Sequence, residues 1–129
     1  MREEIQPNEV PVPKRPYVPV VAHGSLVFVS GQVPVDASVQ LVDTAFDGQV
    51  RAVLRNIERC LAAAGSGLVD VVRVGVYLTS RDTFARLNEI YAEVFGDTKP
   101  TRTTIVCELM DERFQVEMDV IAIRPEPAS

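Results

Sequence analysis

The chain has 129 residues, 47% of them hydrophobic and 24% charged, with a formal net charge of −5 and a pI near 4.8. That length supplies one hydrophobic core and too little chain for two. The acidic balance repels a phosphate backbone unless a local basic patch overrides it, and Arg51, Arg55 and Arg59, spaced every four residues, have Asp47 and Glu58 beside them, so they read as a solvated helix face rather than a nucleic-acid interface.

Residues 1–16 carry Pro7, Pro11, Pro13 and Pro16 and read as an extended or mobile arm. Tyr17 to Ala22 has strand character, with Pro19 restricting it to an edge. His23-Gly24-Ser25 is a turn, and Leu26 to Ser30 (LVFVS) is a continuous apolar run that suits a strand covered on both faces. Residues 32–43 form a loop. Thr44 can then cap a helix whose Phe46, Val50, Val53, Leu54, Ile57, Leu61 and Ala64 share one face, with Gly65 and Gly67 ending it.

Val71 to Thr79 (VVRVGVYLT) is a second apolar strand. Ser80 can cap a second helix that turns Phe84, Leu87, Tyr91, Val94 and Phe95 inward and stops at Gly96. Asn88 lies inside that apolar stripe, where an unpartnered amide costs about 1–3 kcal/mol. Thr103 to Leu109 reads as a strand with Arg102 at its mouth, either a solvated rim charge or a cation waiting for an anion. The last strand, Gln115 to Ile123, puts Val116, Met118, Val120 and Ala122 on one face and Glu117, Asp119, Ile121 and Ile123 on the other. Pro125 and Pro127 mark an irregular tail over 125–129.

The order β, β, α, β, α, β, β describes a two-layer α/β sandwich of the α+β type, a mixed sheet with both helices on one face. No helix remains for the other face. Self-association is the simplest way to cover it. The whole chain, 1–129, reads as one domain.

The sequence contains no GxxxxGK[ST] and no GxGxxG, and its single histidine, His23, sits in a turn. A phosphate cradle, a His-based zinc site and a Ser-His-Asp triad are therefore not indicated. The two cysteines, Cys60 and Cys107, form no CxxC pair and read as small core residues of a reduced, cytoplasmic protein. No apolar run approaches the ~20 residues of a membrane span. The chemistry left is that of carboxylates, hydroxyls and arginine. Arg102 can fork onto a carboxylate and Glu117 can orient a water; equally, the two can pair with each other as an interface salt bridge.

Several segments in order carry a family resemblance: PYV at 16–18, LVFVSGQVPVD at 26–36, VLRNIERCLAAAGSGLVDVVRVGVYLTS at 53–80, FARLNEIYAEVFG at 84–96, PTRTTIV at 100–106 and VEMDVIAI at 116–123. Together they resemble the RidA (YjgF-like) reactive-intermediate deaminases from about Pro16 to Arg124. The resemblance implies a chorismate-mutase-like fold and a homotrimer with active sites between subunits. It also implies hydrolysis of 2-imino acids, released as enamines such as 2-aminoacrylate, to 2-keto acids and ammonia without a metal or cofactor. On the same basis Arg102 is the carboxylate anchor, Glu117 orients the water, and Tyr17, Ser30, Gly31, Asn88 and Thr104 line the substrate pocket. Thr104 stands where relatives often have cysteine, the usual glutamine soon after the tyrosine is missing, and the 32–43 loop lacks a common glycine. Those departures border the cleft and leave the exact substrate open. The competing readings are a larger, aminomuconate-like enamine as substrate, a non-catalytic ligand-binding or chaperone-like role, and the ribonuclease activity sometimes ascribed to the family. Neither nucleic acid nor membrane is an expected partner.

Overall fold

In a computed structural model, which describes residues 1–125, the chain forms one six-stranded mixed sheet with two helices on a single face. The elements are β1 (Arg2–Ile5), β2 (Val20–His23), β3 (Leu26–Gln32), α1 (Phe46–Ala63), β4 (Val71–Leu78), α2 (Phe84–Phe95), β5 (Thr101–Val106) and β6 (Val116–Ile123). Strand order is β1-β2-β3-β6-β4-β5. Only β4 and β5 pair in parallel, with α2 as their crossover. Residues 126–129 of the expected tail lie outside the described residues.

α1 forms where periodicity places it. Val50, Val53, Leu54, Ile57 and Leu61 are all 2% exposed or less. Its end is a Schellman-type stop: Gly65 adopts φ +79° and the Ser66 N–H reaches the Leu61 carbonyl at 2.8 Å. The start differs from expectation. Ala45, not Thr44, is the N-cap and has no side-chain cap, while Asp43 accepts the Ala45 N–H at 2.9 Å. Ser80 caps a short 3₁₀ turn (Arg81–Thr83) that runs into α2, accepting the Asp82 N–H.

β6 alternates as its sequence demands: Val116, Met118, Val120 and Ala122 are buried against the helices, and Glu117, Asp119, Ile121 and Ile123 face away. Three local expectations are corrected, and the loop expected over 32–43 is found. Residues 2–5, free of proline, form β1 and hydrogen-bond to β2, so β2 is not an edge strand; Pro19 escapes conflict by lying just outside it. β3 is buried on alternate residues only, since Leu26 and Phe28 remain over 40% exposed on the helix-free face. β5 spans Thr101–Val106, so Arg102 lies inside the strand and half-buried Cys107 lies beyond it. The 32–43 loop is tied down by buried amides: Asn56 donates to the Val33 and Val35 carbonyls, and Gln49 donates to Asp43 and Arg113. Among the described residues no helix is long and apolar enough to cross a membrane.

Candidate active site

The seven candidate residues fall into two clusters. The first gathers on and around the end of β3. Ser30 donates its hydroxyl to the Val18 carbonyl at 2.7 Å, and its N–H reaches the Pro19 carbonyl at 2.8 Å. These two bonds lash the segment carrying Tyr17 to the sheet, leaving the Tyr17 side chain 56% exposed in a groove that it shares with Gly31 and the arm's Pro11 and Pro13.

Glu117 belongs to this cluster. Its carboxylate lies directly against Gly31, in space that any side chain at that position would occupy. Burial, reinforced by the nearby Asp119 charge, raises its pKa above the ordinary carboxylate value. Asp119 is itself held: the Tyr77 hydroxyl donates to it at 2.6 Å and Arg73 lies 3.4 Å away. That bond pushes the Tyr77 phenol up to about 12, so it remains a neutral donor. A carboxylate of raised basicity beside an open groove suits orientation and deprotonation of a water.

Gly31 has no positive φ, so alanine is tolerated by the backbone. Its methyl must displace the end of the flexible Glu117 side chain, which costs the fold little. Gly31→Ala is thus expected to leave the thermal midpoint nearly unchanged. Any turnover that depends on Glu117 should fall on the order of a hundredfold, the scale of an ångström's misplacement. Melting curves and turnover measured on the same preparation check both halves.

The second cluster lies on the helix side of β5. Arg102 Nη2 donates to Asn88 Oδ1 at 2.7 Å. Its guanidinium carbon sits 4.8 Å from the centroid of the Tyr91 ring and 5.8 Å from that of Phe84. Because arginine can only donate, the amide oxygen must face it, which turns the Asn88 amide nitrogen away. This is where the polar residue in the α2 stripe finds its partner. Thr104, two residues along the same side of β5, has a buried hydroxyl without a partner among the described residues. Phe84 and Tyr91, read from sequence as core, prove to be the walls around Arg102. Their signal was their spacing from Asn88, four residues before and three after, on one helix face.

The two clusters do not meet within one chain. Arg102 pairs with Val74 on β4, whereas Glu117 pairs with Tyr77. The offset of three residues along β4 and two strands across the sheet puts their Cα atoms roughly 14 Å apart. Val74 points to the helices and Tyr77 away from them, so the two side chains also leave opposite faces. No ion pair joins them, and among the described residues no group of three or more metal-ligating side chains comes together. One small molecule can engage both residues only if a second copy of the chain brings its Glu117 cluster to the β5 edge.

Comparison with known proteins agrees with this architecture. A family model described as endoribonuclease L-PSP matches residues 8–124. A RutC family protein of Pyrococcus horikoshii is 37% identical over 125 residues, covering 96% of this chain and 99% of that one. TdcF of Escherichia coli, whose name assigns it provisionally to the reactive intermediate deaminases, is 32% identical over 127 residues, covering 96% and 98%. Among solved structures, the yeast protein YEO7 superposes with a TM-score of 0.91 at 28% identity, covering 96% and 99%. Escherichia coli TdcF with bound serine superposes at 0.87 and 30% identity, covering 95% and 98%.

Proposed function

The chain belongs to the YjgF/RidA/RutC family, and from that premise we propose that it hydrolyses reactive 2-imino acids, such as the 2-iminopropanoate formed from 2-aminoacrylate, to 2-keto acids and ammonia. The observation that carries this reading is the braced guanidinium of Arg102, with Asn88 as its one hydrogen-bonded partner among the described residues. A planar fork with unused donors matches a carboxylate. The relative from Escherichia coli was crystallised with serine, a small molecule bearing such a carboxylate.

The working unit in this reading is a homotrimer, in which the Arg102 cluster of one copy faces the Glu117 cluster of the next. The helix-free face supplies apolar surface for that assembly, with Leu26, Phe28, Ile105 and Ile123 each 41–45% exposed. Arg102 holds the substrate carboxylate, with Asn88 and Thr104 beside it. Tyr17, Ser30 and Gly31 shape the opposing wall. Glu117 accepts a proton from a water as its oxygen adds to the imine carbon. The resulting carbinolamine collapses to the carbonyl, and the nitrogen leaves as ammonia with the protons gained. A protonated imine is already electrophilic, so positioning does most of the chemistry.

Ribonuclease action is disfavoured by the net charge of −5 and by the absence of histidine from both clusters. The test couples a serine dehydratase to this protein and follows loss of the released imine, with sedimentation on the same sample. Loss faster than the spontaneous rate, from a species of about three times 14.2 kDa, supports the proposal. Equal loss with and without the protein rejects it for this substrate; hydrolysis confined to larger enamines would move the substrate class to those.

A further inference from the structure

Arg102 is braced from one helix. Asn88 Oδ1 takes one N–H at 2.7 Å, and the Tyr91 ring lies closer to the guanidinium than Phe84 does, 4.8 Å against 5.8 Å. Phe84 is 45% exposed. The Tyr91 ring is held on its other side as well: it stacks on Phe95, centroid to centroid at 4.4 Å, and Phe95 is 5% exposed. The ring is therefore fixed between the hydrophobic core and the cation.

The Tyr91 hydroxyl is buried and has no partner among the described residues. What the site uses is the ring, whose face attracts a cation. Two constraints, a hydrogen bond at one edge and an aromatic face alongside, together define the plane of a guanidinium. The charge alone would be served by lysine; the plane matters only if a planar group is to be met in one orientation.

We propose that Tyr91 is a positioning residue for the carboxylate anchor: with Asn88 it fixes the guanidinium plane of Arg102, so that the free edge meets a substrate carboxylate with two donors aligned. This rests on the reading of Arg102 as a carboxylate anchor. It extends that reading to α2, whose placement then sets how tightly carboxylates bind.

The test measures binding of pyruvate, the smallest 2-keto acid product, by calorimetry on the intact protein, so that it does not depend on turnover. Tyr91→Leu is expected to weaken binding on the order of tenfold. Tyr91→Phe keeps the ring and restores tight binding, with a melting temperature equal to or above that of the wild type. In an Arg102→Lys background, where no planar fork exists, Tyr91→Leu should change the remaining affinity by less than about twofold. Equal losses in both backgrounds would mean that the ring supports only the fold and would overturn the proposal. So would wild-type affinity in Tyr91→Leu, or no pyruvate binding by the wild type. If the wild type hydrolyses no imine yet shows this pattern of affinities, the deaminase reading fails and the positioning role stands.

Discussion

Arg102→Ala is expected to lower kcat/KM for imine hydrolysis by roughly 10²- to 10⁴-fold in a chain that remains folded. The magnitude follows from two charge-assisted hydrogen bonds to a carboxylate, each contributing about 1.5–3 kcal/mol. The fold should survive because Arg102 sits on an edge strand and makes no ion pair among the described residues. Some stability is still lost, since its guanidinium lies over the Tyr91 and Phe84 rings. Arg102→Lys separates charge from shape: it keeps the cation but not the fork, and should recover only part of the loss. A coupled assay over a range of imine supply, with melting curves on each variant, checks the prediction. Unchanged kcat/KM in folded Arg102→Ala would remove the carboxylate anchor from the mechanism and favour a binding role centred elsewhere.

How far the site can be read from sequence depends on which dimension is asked about. Positions along one element are legible: the β6 alternation and the α1 stripe follow from side-chain period alone, and Asn88 in the α2 stripe announces a polar partner by being out of place. Relations between elements are not. Arg102 and Glu117 suggest a pair on chemical grounds, yet nothing in either strand's own pattern tells that β4 will lie between them, or that Arg102 shares a face with Val74 while Glu117 shares one with Tyr77. Strand order is a property of the whole sheet. The same holds for β1, whose four residues, REEI, have no apolar alternation and become a strand only because β2 offers an unpaired edge. Gln49 and Asn56 illustrate a third case. On α1 they look like ordinary polar helix residues, and only the packed loop carbonyls show why they are buried. Tyr91 was legible as buried but not as the wall of Arg102, because burial and contact with a cation leave the same apolar signature.

Glu117→Gln should move stability and activity in opposite directions. The side chain sits where its charged form is disfavoured by burial and by Asp119, so its pKa in the folded chain is above that in the unfolded chain. A group shifted in that direction contributes stability below its unfolded value, and the contribution is lost as pH rises through the folded value. At neutral pH the wild type therefore carries the cost of an ionised Glu117, and Gln removes it. The variant should melt at the same or a higher temperature at pH 7, with the advantage fading towards pH 4. Turnover should nonetheless fall by about 10²- to 10⁴-fold, because an amide cannot take the proton from the attacking water. In the wild type, the acid limb of the rate profile should lie above the ordinary glutamate value of about 4.3. Asp119→Asn should shift that limb down, since it removes the neighbouring negative charge. The sharpest check uses the separation of the two clusters. Glu117→Gln and Arg102→Ala should each be impaired, but in the proposed assembly they damage opposite sides of a cleft between two copies. Subunits of the two variants, unfolded together in equal amounts and refolded, should regain about a quarter of the wild-type activity, because random mixing restores one intact pairing in four. No recovery from a properly mixed assembly would mean that both residues act from one copy, and would overturn the shared cleft.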